Sequence, residues 1–164
     1  ELGMTIMDAR IVSTDNDRSV VTLVFAEQDA RVESDEARIN KVRRALTRIL
    51  TAPSDKVLDV TRALPRQARM FTTRTTVDFS PNASSSDQTV LELQAADRPG
   101  LLSTIGQVFI EQGIDIEAAK IVTIGERAED VFYVCLEQGG ALNQSQQDEL
   151  GDALLERLGS AAGN

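Results

Sequence analysis

The sequence predicts an α+β fold made of two copies of one unit, each an antiparallel sheet with helices on a single face. Three observations predict it: an internal repeat, strand-like runs of alternating polarity, and helical stripes of apolar residues between them. The repeat is the strongest. EQGIDIEAAKIVTI at residues 111–124 answers the opening ELGMTIMDARIVST, so that Glu1 meets Glu111, Gly3 meets Gly113, Ile6 meets Ile116, Ala9 meets Ala119, Ile11 meets Ile121, Val12 meets Val122 and Arg10 falls on Lys120. VVTLVF at residues 20–25 then answers VFYVCL at residues 131–136, provided the second turn, GERAED, is one residue longer than its counterpart.

Taken in chain order, the first copy reads strand, strand, helix. Its helix is predicted from Ile39, Val42, Leu46, Ile49 and Leu50, which share one apolar face, with Asp35 as a start signal and Pro53 as a stop. TTRTTVDF at residues 72–79 reads as a strand and PNASSSD at residues 81–87 as a polar loop. The strand at residues 89–95 alternates Leu91 and Leu93 with Glu92 and Gln94, so it is half-buried. After the turn DRPG, Leu101, Leu102, Ile105, Val108 and Phe109 form a helical stripe ended by Gly113, a residue suited to the left-handed position after a helix. Two strands follow, and then a helix on Leu150, Leu154, Leu155 and Leu158. The complete unit is therefore strand, helix, strand, strand, helix. The first copy lacks its first strand and helix, so the chain is expected to start inside a domain and to be a fragment of something longer. The strand at residues 72–79 is expected to take the vacant edge of the second unit, antiparallel to residues 89–95, in ββαββα order. The expected division is residues 1–67, an incomplete first unit with a linker, and residues 68–164, the second unit.

Composition narrows the function. With 164 residues, 41% of them hydrophobic, the chain can bury a real core. A net charge of −9, from 17 basic and 26 acidic residues, opposes binding to a polyphosphate backbone, so nucleic acid is an unexpected partner. No apolar run approaches the roughly 20 residues that span a bilayer and no secretory signal is evident, which places the chain in the cytoplasm, off the membrane. The single Cys135 lies in an apolar run and is read as a buried, inert thiol. Without histidine there is no Ser-His-Asp or Cys-His arrangement and the commonest metal ligand is missing. No catalytic residue and no metal ligand is assigned.

DRPGLLSTIGQVFIEQGIDI followed by a strand pair resembles an ACT domain, a small amino-acid-binding regulatory module of ferredoxin-like fold. Two further stretches, TIGERAEDVFYV at residues 123–134 and LPRQARMF at residues 64–71, make the whole chain resemble the C-terminal tandem ACT region of the bifunctional uridylyltransferase/uridylyl-removing enzymes of bacterial nitrogen control. That resemblance implies two ferredoxin-like ACT domains, the first truncated at its N-terminus. It implies glutamine as the sensed amino acid, and a parent enzyme that attaches uridylyl groups to the PII signalling protein and removes them. It implies no cofactor in this fragment, while divalent metal and UTP would serve catalytic domains upstream. A tandem ACT module of another amino-acid-controlled protein, and a purely structural interaction module, remain open.

The resemblance carries ligand contacts to Asp97, Arg98, Pro99, Gly100, Leu101, Leu102, Gly113, Ile114, Asp115 and Ile116; in the first copy only residues 3–6 would survive of an equivalent site. Physical chemistry agrees with part of this. Backbone N–H groups at a helix start can meet a small carboxylate, and Asp97 can receive an ammonium group. The alternative is that Asp97 caps the helix and Gly100 only relieves crowding.

Other features take a plainer reading. Arg43, Arg44, Arg62, Arg66 and Arg69 are read as solvated, Glu33, Asp35 and Glu36 as favouring a helix start, and Glu126, Arg127, Glu129 and Asp130 as charges holding a hairpin turn in water. In VFYVCL both alternating faces are apolar: Val131, Tyr133 and Cys135 on one, Phe132, Val134 and Leu136 on the other. Because a sheet with helices on one side exposes its second face, the two sheets, or the sheets of two chains, are expected to associate with ligand sites near the boundary.

Overall fold

A computed structural model of the chain describes residues 4–14, 18–27, 35–51 and 73–160. The elements run β1 (Met4–Thr14), β2 (Arg18–Glu27), α1 (Asp35–Thr51), β3 (Thr76–Pro81), β4 (Thr89–Ala96), α2 (Leu101–Glu111), β5 (Ile114–Ile124), β6 (Arg127–Leu136) and α3 (Gln144–Ser160). The six strands make one antiparallel sheet in the order β2-β1-β5-β6-β4-β3. From β3 onward the elements follow the expected ββαββα order, with β3 on the free edge of β4. The linker at residues 64–71, Arg62 and Thr72 lie outside the described residues.

Strand alternation explains where the core sits. Leu91, Leu93 and Ala95 of β4 are buried and pair with Phe132, Asp130 and Ala128 of β6, so all six point to the helix side of the sheet. From α2, Leu101, Ile105, Val108 and Phe109 reach down onto this face, and from α3, Leu150, Leu154 and Leu158. Phe109 and Phe132 meet edge to face at 5.3 Å, a geometry the ring quadrupoles favour. The stripe predicted for α3 holds except at Leu155, which is 41% exposed. Asn143 and Gln146 start α3 reciprocally: the Gln146 N–H donates to Asn143 Oδ1 (3.1 Å) and the Asn143 N–H to Gln146 Oε1 (2.9 Å), which satisfies two donors that no helical carbonyl can reach.

The two units join edge to edge. β1 pairs with β5 so that Arg10 faces Lys120, Ala9 faces Ile121 and Ile11 faces Ala119. The repeat equates Arg10 with Lys120, Ala9 with Ala119 and Ile11 with Ile121, so the pairing is symmetric about Arg10 and Lys120 and an approximate two-fold axis lies between them. A register shift recurs at matching positions, between Ile6 and Asp8 in the first unit and between Ile116 and Ala118 in the second. The units associate through strand edges and not through the second face as expected; among the described residues no helix covers that face, where Val131 and Tyr133 are half-buried and Val12, Val20 and Val24 are exposed.

Two expectations need correction. Asp8 pairs with Val24 as Ala118 pairs with Tyr133, so Val24 occupies the place of Tyr133, and the first turn, not the second, is the longer by one residue. The apolar residues on both faces of VFYVCL allow matches two residues apart, and strand pairing selects between them. The apolar face of α1 is also not buried among the described residues: Ile39, Leu46, Ile49 and Leu50 are exposed, Leu50 to 81%. On the same helix Arg43 and Arg44 are exposed, as read from the sequence, and each bonds Asn40.

Candidate functional site

DRPG folds as a type II turn. The Leu101 N–H donates to the Arg98 carbonyl (3.1 Å), Pro99 sits at the position that suits its fixed φ, and Gly100 takes φ 84°, ψ 0°. Gly100 is thus required by a left-handed backbone, a stronger reason than relief of crowding. Gly113 does the same at the other end of α2, with φ 64°. The Asp97 N–H donates to the Glu126 carbonyl (2.8 Å), which locks the turn to the β5–β6 turn. Gly100 is the N-cap and offers no side chain to the first-turn N–H groups, and no acidic residue lies in the first turn of α2, so Asp97 is not the helix cap.

The sequence-derived candidates separate into two groups. Asp97, Arg98, Pro99, Gly100, Leu101 and Leu102 cluster at the start of α2. Gly113, Ile114, Asp115 and Ile116 lie at its far end, about 16 Å away at 1.5 Å per residue over the 11 residues of α2. Within one unit they do not form one site. Leu101 and Ile114 are core residues, and Asp115 is exposed near Cys135. The antiparallel β1–β5 pairing brings the start of the first unit's strand instead to the DRPG end of the second: Thr123 Oγ1 donates to the Ile6 carbonyl (3.3 Å), two residues before the Gly125–Glu126 turn.

Electrostatics single out three residues at this end. Arg98 Nη2 is buried and lacks a hydrogen-bond partner, and burial lowers its pKa. Burial raises the pKa of Asp97, partly offset by the Arg98 backbone N–H. Asp130, read from the sequence as a solvated turn charge, is 1% exposed on the helix side of β6, and among the described residues the donor that acts on its carboxylate is the Val122 backbone N–H, without a hydrogen bond of full geometry. Burial pushes its pKa up from the usual 3.8 to about 7, against the opposing pull of the Val122 backbone N–H, and repulsion from Asp97 adds to the rise. Its neighbours Arg127 and Glu129 pair with each other outside. The sequence did hold a signal: Asp130 shares strand parity with Ala128, Phe132 and Val134, the face that must be buried.

The remaining chemistry is sparse. Cys135 is buried, and burial, with the carboxylate of Glu117 next in effect, raises its pKa, as an inert thiol requires. Among the described residues no group of three or more Cys, Asp or Glu side chains could hold a metal ion, and no helix is long and apolar enough to cross a membrane.

The family model described as ACT domain matches residues 89–144, the stretch from β4 to the start of α3. Residues 89–144 are an ACT domain. The chain is also similar to three proteins named bifunctional uridylyltransferase/uridylyl-removing enzyme: that of Vibrio parahaemolyticus (37% identical over 97% of this chain), that of Psychrobacter arcticus (34% over 96%) and that of Acinetobacter baumannii (33% over 98%). It covers 17 or 18% of the length of these relatives. The ACT domain and its neighbouring unit thus correspond to a small part of a much longer relative.

Proposed function

We propose that this chain is the amino-acid-sensing regulatory region of an enzyme that uridylylates and deuridylylates the PII protein, with glutamine as its ligand. The observation that carries the reading is the uncapped start of α2 beside a buried, unpartnered Arg98 Nη2. Backbone N–H groups and a guanidinium together suit an α-carboxylate, and the desolvated Asp97 suits the α-ammonium group. The ACT domain and the relatives' name support the regulatory role and the parent chemistry. Ile6 of the first unit meets Thr123 near the end of β5, so the site would be shared between the units. Ligand occupancy would then bias how they pair, and through that pairing the upstream catalytic domains, by a shift in populations.

Calorimetric titration with glutamine, glutamate and a panel of other amino acids tests the reading. Saturable binding of glutamine, weakened at least about tenfold by Asp97→Ala through loss of a charge-assisted hydrogen bond, is expected. Silence toward every amino acid would overturn it.

A further inference from the structure

We infer that Asp130 is the selectivity residue of this site: its buried carboxylate accepts the side-chain carboxamide N–H groups of a glutamine-like ligand and rejects the matching carboxylate of glutamate. The inference rests on the amino-acid reading of the site and extends it to a residue deeper in the fold.

Asp130 is 1% exposed, and among the described residues neither oxygen has a hydrogen bond of full geometry. A buried charge is costly unless donors satisfy it, so ionised Asp130 calls for donors beyond the Val122 backbone N–H, which a ligand would supply. The register places it within reach of the DRPG end. On the helix side of the sheet Asp130 is opposite Leu93, and the next pair toward the turn is Ala128 and Ala95, two buried residues with small side chains. Beyond them comes Asp97, close enough to repel Asp130. A ligand whose α-carboxylate sits at the start of α2 and Arg98, with its ammonium at Asp97, would direct its side chain past the two alanines toward Asp130.

The surroundings explain why this group would discriminate. The strands flanking Asp130 present Leu93 and Ile121, and α2 carries no charge before Glu111. Asp97 is the charged group that acts on Asp130, Arg98 lies in the turn without pairing to it, and both carboxylates repel a further anion. A carboxamide brings two N–H donors; a carboxylate brings charge and no donor. In the first unit Val21 occupies the corresponding position, so only the second unit carries the device.

The test compares the parent chain with Asp130→Asn, titrated with glutamine and glutamate at about pH 8, where Asp130 is ionised. The parent should prefer glutamine by about 100-fold or more, and the variant by less than about tenfold, chiefly because glutamate is admitted. A folded variant that keeps the parent's preference would overturn the inference and leave the amino-acid reading standing; a parent that binds neither compound would overturn both. A second readout needs no variant. The side-chain carboxyl carbon of Asp130, followed by NMR, should titrate near 7 in the free chain and at a lower pH with saturating glutamine, since donors to the charged form favour it. A titration unmoved by bound glutamine would also overturn the inference.

Discussion

Asp130 concentrates what a single residue can do in this fold, and its protonation links the site to stability. Its carboxyl is held near 7 when folded against the usual 3.8 when unfolded, because burial penalises the charged form. The folded chain therefore holds this proton more tightly than the unfolded chain, and the stability it brings is full below about pH 4 and is lost as the pH rises through about 7. Urea denaturation of the parent and Asp130→Asn at intervals from about pH 5 to 8 should show the parent losing stability relative to the variant across that range. Two curves that stay parallel would mean that Asp130 titrates alike in both states. The residue was legible as buried from strand parity, yet a charge four residues past a hairpin turn is far more often solvated, and the pairing with Leu93 and Ile121 decides between the two. Gly100 and Gly113 were legible as special for a simpler reason: a helix must be entered and left, and each has φ > 0 where it does so.

Elements were readable where one face alone is apolar. The alternation of β4 and the stripe of α2 mark both period and orientation, because a shift by one residue would expose Leu91 and Leu93. β6 is apolar on both parities, so its period was legible and its register against the first unit was not. Helical stripes likewise reveal a face without revealing what covers it. The stripe of α3 meets the sheet, and Leu154 is 0% exposed; the equally periodic stripe of α1 ends with Leu50 81% exposed. Leu154→Ala should therefore cost about 2–5 kcal/mol, since the transfer term is joined by a cavity that α3 cannot close, whereas Leu50→Ala should stay within about 0.5 kcal/mol. Thermal or urea unfolding of the two variants reads the contrast directly. Comparable losses would require Leu50 to be packed as deeply as Leu154.

At the scale of the molecule, the decisive feature is one that no side-chain pattern announces: two half-related sheets fuse through backbone edges. Edge pairing draws on N–H and C=O groups that every sequence carries, so the repeat showed two units and could not show their junction. The junction is weaker than the sheet on either side. Ala9 is the one residue of the β1–β2 hairpin that is fully buried among the described residues, with Ile6, Ile11 and Leu23 packed only partly against the core. At its centre Arg10 lies directly opposite Lys120, like charges across a strand pair, and both are exposed. Amides of β1 and β2 should therefore exchange with solvent well before those of β4 and β6, because local opening there gives up little buried surface. Lys120→Glu converts the central repulsion into an attraction worth about 0.2–1 kcal/mol, and Asp8, 3.9 Å from Arg10, takes back part of the gain by repelling the new carboxylate. Hydrogen exchange followed by mass spectrometry should then show slower exchange in β1 and no change in β4 or α3. Equal exchange of β1 in parent and variant would mean that the units separate by a route in which Arg10 and Lys120 never part. Slower exchange would place the control of their pairing at the two-fold axis.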